Sequence, residues 1–263
     1  MQSARQCTAP LSRLALATRA AFTALADPTR ADMVAALGET TGTLVLPALR
    51  DRMLRDRDGR RILRERPLVS TASVDLARLR ALPTSTFGGA YVRFLDSQHV
   101  TPDSRENIKY IDDPELAYVM LRYRQVHDFW HALLDMPVTV EAEIAVKWFE
   151  FVQTGLPVAM LSALVGPLRL TAAERERLFG HFVPWAVQSA SNCKFLMAVM
   201  YEDLFEQDLE QVRRDLGFLP PPPEVIASAD AAREELLRQQ QHQQEQQPQG
   251  APSRPGDPSS AAA

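Results

Sequence analysis

The chain has 263 residues, enough for one large domain with a sizeable core, and 46% apolar against 24% charged residues is the balance of a globular protein. A net charge of −4, with no basic recognition helix or aromatic-studded strand, argues against a nucleic-acid binder. Two cysteines, Cys7 and Cys193, are too few for a disulfide framework or a cysteine-rich zinc site and fit a reducing compartment.

Residues 1 to 26 carry Arg5, Arg13 and Arg19 and no acid before Asp27. With Ser3, Thr8, Ser12 and Thr18 this is the composition of a mitochondrial transit peptide. The same stretch also reads as a first amphipathic helix, with Leu11, Leu14, Phe22 and Leu25 on its apolar face. Asp27 and Pro28 suit the cap and first position of a helix that Gly38 would end. From Pro47 to Arg66 the arginines predict one basic helix, either a solvated face with charge pairs at i,i+4 or a face toward anionic lipid. Ser73 is expected to cap a helix over Val74 to Arg80, and Gly89 to Ser97 a short helix with Tyr91, Phe94 and Leu95. His99 falls in the connection before Pro102.

Asp113 and Pro114 repeat the acid-cap and first-position pattern at the start of the central helix. Leu116, Val119, Met120, Tyr123, Val126, His127, Trp130 and Leu134 follow at spacings of three and four, one buried stripe with His127 inside it. After a turn at Asp135 to Pro137, a second helix from Val138 to Thr154 would turn Val140, Ile144, Trp148, Phe151 and Val152 inward and stop at Gly155. Leu156 to Leu164 is the most apolar run. It is too short to span a bilayer and reads as a core helix, with a segment lying on a membrane surface as the alternative. Thr171 and Glu174 form a capping-box pattern. Pro184 interrupts before a helix carrying Trp185, Phe195, Leu196, Met197, Met200 and Tyr201, and a last helix from Leu204 to Leu216 ends at Gly217. No convincing strand appears, so the expected fold is all-α. A single domain over 11–219 would follow a targeting or disordered segment at 1–10. The Pro- and Gln-rich stretch 220–263 is expected to be disordered, with at most a transient helix from Ala227 to Arg238.

The chemistry concentrates in Val126 to Glu143, VHDFWHALLDMPVTVEAE, in a chain with only five histidines. His127 and His131 at i and i+4 project from one helix face and can reach one ion. Asp128 flanks both, and Glu143 returns from the next helix, which would run antiparallel. Two nitrogen and two carboxylate donors suit Zn²⁺ best, ahead of Fe²⁺ or Mn²⁺. The alternative is a histidine pair hydrogen-bonded across a helix contact. The pattern differs from the H-E-x-x-H protease motif: Asp128 is one methylene shorter than the general-base glutamate, which favours a ligand over a base. Lys147, at i+4 from Glu143, suits a helix salt bridge and is also a candidate substrate anchor. Cys193 is expected to be an inert buried thiol, and His181 and His242 have no evident partners.

The stretches DPTRADMVAALGETTG, TFGGAYVRFLD, YIDDPELAYVMLRYRQVHDFWH, EIAVKWFEFVQTGLP and GPLRLTAAERERL resemble the Coq-four family of ubiquinone (coenzyme Q) biosynthesis proteins, from about Leu14 to Gly217. His127, Asp128, His131 and Glu143 match its H-D-x-x-H signature and the glutamate that follows after eleven residues. The resemblance implies an all-helical protein on the matrix face of the mitochondrial inner membrane, holding Zn²⁺ through those four residues. It implies C1 decarboxylation of a polyprenylated 4-hydroxy-3-methoxybenzoate, with coupling to hydroxylation of the same carbon as an option. It further implies other ubiquinone-biosynthesis proteins as partners in a multiprotein complex; a homo-oligomer is compatible with it. Two positions depart from the pattern: Asp135 and Ala142 stand where the family usually has glycine, and the glutamine-rich tail lies outside the likeness. Asp135 would shift the turn or add a carboxylate near the metal, and Glu141 adds charge nearby.

Two functions of different class follow from this reading. One is a metal-dependent lyase; the other is a non-enzymatic scaffold that binds prenyl lipid and organises the biosynthetic complex around a structural ion. All four ligands being protein groups fits a closed structural site, whereas an exchangeable water on the ion would mark an enzyme.

Overall fold

A computed structural model describes residues 31–104 and 108–246. The expected targeting segment, the first amphipathic helix and the Asp27–Pro28 cap lie outside these residues, as do 247–263. Helices make up the fold, and among the described residues the sole β-type pairing is an isolated bridge between Thr86 and Asp208. In chain order they are α1 (Ala31–Gly42), α2 (Leu46–Arg55), α3 (Arg57–Glu65), α4 (Leu76–Ala81), α5 (Phe87–Ser97), α6 (Pro114–Leu134), α7 (Val140–Thr154), α8 (Pro157–Val165), α9 (Ala172–Arg177), α10 (Val183–Asn192), α11 (Leu209–Leu216) and α12 (Pro223–Gln246).

The organising element is α6. Asp113 accepts from Glu115 N and Leu116 N and Pro114 takes the first turn, as the sequence predicts. Its burial is broader than one stripe: every residue from Gln125 to Leu134 is buried, nearly three turns. A helix enclosed all round must be surrounded by others. On one side Phe129 meets Phe87, Tyr91, Tyr201 and Phe205, with ring centroids from 4.5 Å to 5.8 Å apart. On the other, α7 runs antiparallel to it: Tyr123 and His127 meet Glu150, while His131 meets Glu143.

Several boundaries differ from the sequence reading, each for a local reason. The basic stretch is two helices, because Asp56 turns to cap α3 through Asp58 N and Gly59 N. Its arginines are largely engaged: Arg61 with Glu65 and Asp203, Arg50 with Asp51 and Glu115, and Arg52 stacked 3.8 Å over the Phe195 ring. α1 continues through Gly38 to Gly42. Asp75, not Ser73, caps α4. Pro184 does not break the chain; a π turn over Leu178–Phe182 widens the helix ahead of it and accommodates the missing donor.

Residues 193–204 are not helical as expected. They thread the core as short 3-10 turns, with Leu196, Met197 and Tyr201 buried. Such a segment needs partners for its backbone, and Gln153 Oε1 accepts from Leu196 N while Arg122 donates to Val199 O. The last helix of the expected domain therefore starts only at Leu209, capped by Asp208. Over its described part the stretch from residue 220 holds a helix longer than the transient one expected at Ala227 to Arg238: α12, whose Val225 and Ala229 belong to the core cluster.

Candidate metal centre

His127 and His131 sit one turn apart on α6, and their rings stand 4.7 Å apart at 81°. Glu143 comes from the first turn of α7, where Thr139 caps the helix and sets its start. One ligand atom from each of His127, His131 and Glu143 can be chosen so that all lie within 4.8 Å of one another. Asp128 is buried on the same helix and adds its charge beside His131, but it is not one of these three.

Both rings are held from behind. Glu150 Oε1 accepts from His127 Nδ1, and Met136 O accepts from His131 Nδ1 at 3.2 Å. These acceptors fix the tautomer and leave Nε2 as the nitrogen each ring offers, the arrangement that orients metal-ligating histidines. His131 Nε2 is buried and makes no hydrogen bond, although Glu143 Oε1 lies 3.2 Å away. Donors at about 2.0–2.1 Å from one tetrahedral ion must stand roughly 3.3 Å apart. The orphaned nitrogen and its facing carboxylate therefore fit a shared cation better than a direct bond.

Glu150 is fully enclosed and anchors a network: Tyr123 OH donates to its Oε2 at 2.6 Å and Lys147 Nζ at 2.8 Å. Lys147 thus ion-pairs with Glu150 three residues on, rather than forming the expected i,i+4 bridge to Glu143, and its Nζ lies 3.5 Å from His127 Nδ1. Burial opposes the charge on Glu150, yet Lys147 and His127 hold its carboxyl well below the usual range. Burial likewise opposes the charge on Glu143, which His131, His127 and Lys147 nonetheless keep ionised. His127 is pushed down by burial and by Lys147, so it is neutral and able to ligate. For His131 burial works against the proton, but the Glu143 carboxylate outweighs it and the pKa rises.

Phe94 on α5 stacks against His131 at 5.0 Å and walls the site on that side. Glu143, with 31% of its side chain exposed, and Lys147, with 24%, are its open side. The carboxylate at Asp135 points elsewhere, to Arg233 on α12, and Glu141 pairs with Arg177. Neither adds charge to the three-residue group. Asp135 itself adopts the left-handed conformation, φ 55, that a glycine would take more readily.

Fold and site together define an all-helical protein with a buried two-histidine, one-carboxylate group between antiparallel helices. The family model for "Coenzyme Q (ubiquinone) biosynthesis protein Coq4" matches residues 4–222, and the chain belongs to that family. It is 52% identical over 202 residues to the mitochondrial ubiquinone biosynthesis protein COQ4 of Laccaria bicolor, covering 77% of this chain and 68% of that one. It is 50% identical over 210 residues to the mitochondrial homologue of Bos taurus, covering 80% and 79%. A crystal structure of a Nostoc punctiforme protein named for ubiquinone biosynthesis has the same fold, with a TM-score of 0.63 at 19% identity, covering 80% of this chain and 99% of that one.

The sequence reading missed Glu150, Tyr123 and Phe94 as parts of the site. A signal for Glu150 was present: Glu143, Lys147 and Glu150 fall at i, i+4 and i+7, one polar stripe on a helix otherwise lined by apolar residues. The buried residues of α7 are Glu141, Ala142, Ile144, Ala145, Val146, Phe149, Glu150, Gln153 and Thr154; Ile144 is inward as expected, Trp148, Phe151 and Val152 are half-buried, and Val140 is exposed.

Proposed function

We propose that this member of a ubiquinone-biosynthesis family is a lyase of that pathway, removing the C1 carboxyl group of a polyprenylated 4-hydroxy-3-methoxybenzoate with a zinc ion held by His127, Asp128, His131 and Glu143. The observation that carries this reading is the pair of imidazoles locked at Nδ1 with Nε2 turned toward a carboxylate, one of them orphaned. Asp128 is the fourth ligand by its place beside both histidines. Bound there, zinc would polarise the substrate's carboxylate or phenolate oxygen as a Lewis acid.

The chain's own groups supply the rest. Glu150 and Met136 O hold the two rings in orientation, and Phe94 keeps water from the buried edge of His131. Lys147, partly exposed beside Glu143, meets an incoming anion with Nζ while Glu150 holds it in place. Loss of CO₂ requires a proton at C1, and the para hydroxyl shares the charge that develops there; on the open side of the site the partly exposed Lys147 ammonium is the group placed to deliver it.

Mitochondrial placement follows from the names of the relatives, and matrix-side attachment to the inner membrane belongs to the proposal. No helix among the described residues is long and apolar enough to cross a membrane. Met160, Leu164 and Leu168, exposed at four-residue spacing on and after α8, support peripheral contact with lipid, while Val158, Ala159 and Ala163 bury the other face. Work within a complex of biosynthesis proteins is part of the same reading.

Purified protein loaded with zinc, iron or manganese and offered a short-prenyl hydroxymethoxybenzoate, with and without oxygen, tests it. Metal-dependent release of CO₂, abolished in folded H127A and E143Q, is expected. A folded, metal-loaded protein that assembles with its partners and releases no CO₂ under any condition overturns the lyase and leaves the scaffold.

A further inference from the structure

α12 begins one residue past the family match, which ends at 222, and it runs to Gln246. Its first turns are rooted: Val225 is fully buried and Ala229 is 4% exposed. Farther along, its contacts change character. Arg233 reaches Asp135 at the end of α6, pairing with Oδ1 at 2.7 Å and donating to the Asp135 carbonyl, while Leu237 is 58% exposed. Arg233 and Leu237 form one wall of a cavity of about 280 Å³ whose other walls include Phe94, His131 and Met136. Those three residues are respectively the stacking partner of a candidate ligand, the ligand itself, and the acceptor that orients it. The cavity thus lies directly behind the metal group.

We infer that α12 is a hinged lid on this cavity, anchored at Val225 and Ala229 and latched by Arg233 on Asp135. The two ends are held by forces of different strength. Burial of Val225 fixes the root, whereas the latch is a partly exposed ion pair, 35% and 62% accessible on its two side chains, of the kind that opens readily and weakens with salt. Asp135 serves as the catch because it places a carboxylate and a left-handed carbonyl at one point. A glycine there would keep the turn and lose the carboxylate. The cavity lining sets what the open lid admits. Ala90, Phe94, Met136, Pro137 and Leu209 are apolar, and Arg93 adds a guanidinium that donates to the carbonyls of Thr84 and Gly89. Ser97, Gln98 and Asp135 complete a lining of mixed polarity.

Hydrogen–deuterium exchange on the full chain tests the lid without reference to turnover, so it stands or falls separately from the lyase reading. In R233A and D135G, amides of 233–246 should exchange roughly two- to fivefold faster, the range an exposed ion pair supports, while 223–229 and α6 keep their protection. High salt should produce the same pattern in the unaltered chain, and the reversed pair D135R/R233D should restore slow exchange. Unchanged exchange of 233–246 in both single variants overturns the latch. Loss of protection at 223–229 together with 233–246 overturns the hinge, since the whole helix would then detach as one piece.

Discussion

At the residue scale, Glu150 illustrates how a buried charge is tolerated. It is enclosed completely, and three groups compensate it: its two oxygens accept hydrogen bonds from His127, Tyr123 and Lys147, and the lysine also supplies the opposite charge. Replacing it with glutamine removes the carboxylate charge behind His127 and turns one of its two acceptors into a donor, and should weaken binding of zinc at the proposed site about 10–100-fold, read by competition with a chromophoric chelator; an unchanged affinity would show that the Glu150 carboxylate does not orient a ligand. Its pH signature has a definite sign. The native carboxyl lies below its ordinary 4.5, so the folded state binds fewer protons than the unfolded one as pH falls through that value. The stability it contributes is therefore present above about pH 4.5 and is lost toward more acidic pH. Metal-free E150Q should show a flatter acid limb than the parent in denaturant titrations across pH 3 to 6. Cys193 is half-buried rather than fully enclosed as expected, and desolvation still pushes its thiol up from 9.0 to about 12. With Cys7 replaced by serine, native protein at pH 8 should react with iodoacetamide up to roughly a thousandfold more slowly than unfolded protein, following the thiolate fraction; comparable rates would refute its burial.

At the element scale, junctions between helices follow short-range chemistry. The break between α2 and α3 depends on Asp56 as cap and on Gly59, where an added Cβ would fall 2.1 Å from Met53 O. That atom is backbone and cannot swing aside, so G59A should destabilise the protein by about 1–3 kcal/mol in chemical denaturation; an unaltered midpoint would mean that the junction is looser than it stands here. Glycine stops at Gly155 and Gly217, the proline starts at Pro114 and Pro157, and the capping box of Thr171 and Glu174 were all legible in the sequence. Local rules fix them, because the donor and acceptor lie within four residues. The face of α7 was legible only in part, at Ile144. Its aromatics suggested an inward line through Trp148 and Phe151, but packing against α6 and α10 selects the line through Phe149 and Glu150.

At the scale of the whole molecule, α6 is the axis and the helices around it bury the two histidines, leaving Glu143 and Lys147 as the partly exposed side of the candidate site. The C-terminal helix belongs to this body. A chain ending at Pro222 exposes the pocket that Val225 fills and should lose roughly 2–3 kcal/mol of stability, measured as a lowered denaturation midpoint; equal stability would return α12 to the status of a loose tail. Composition pointed to disorder there because glutamine, proline and alanine dominate the tail, and composition averages away the two residues that dock.

The sequence by itself determined the all-α class, several helix ends, and the neighbourhood that brings His127, His131 and Glu143 together, since i,i+4 spacing and capping act within one or two turns. Tertiary structure decided the parts that depend on distant partners. Lys147 faces Glu150 instead of Glu143, Glu150 and Met136 orient the histidines, residues 193–204 run through the core without a helix, and Asp135 turns to Arg233 ninety-eight positions away. Pairings across such separations leave no periodicity in the chain, because they arise only once packing has chosen which faces meet.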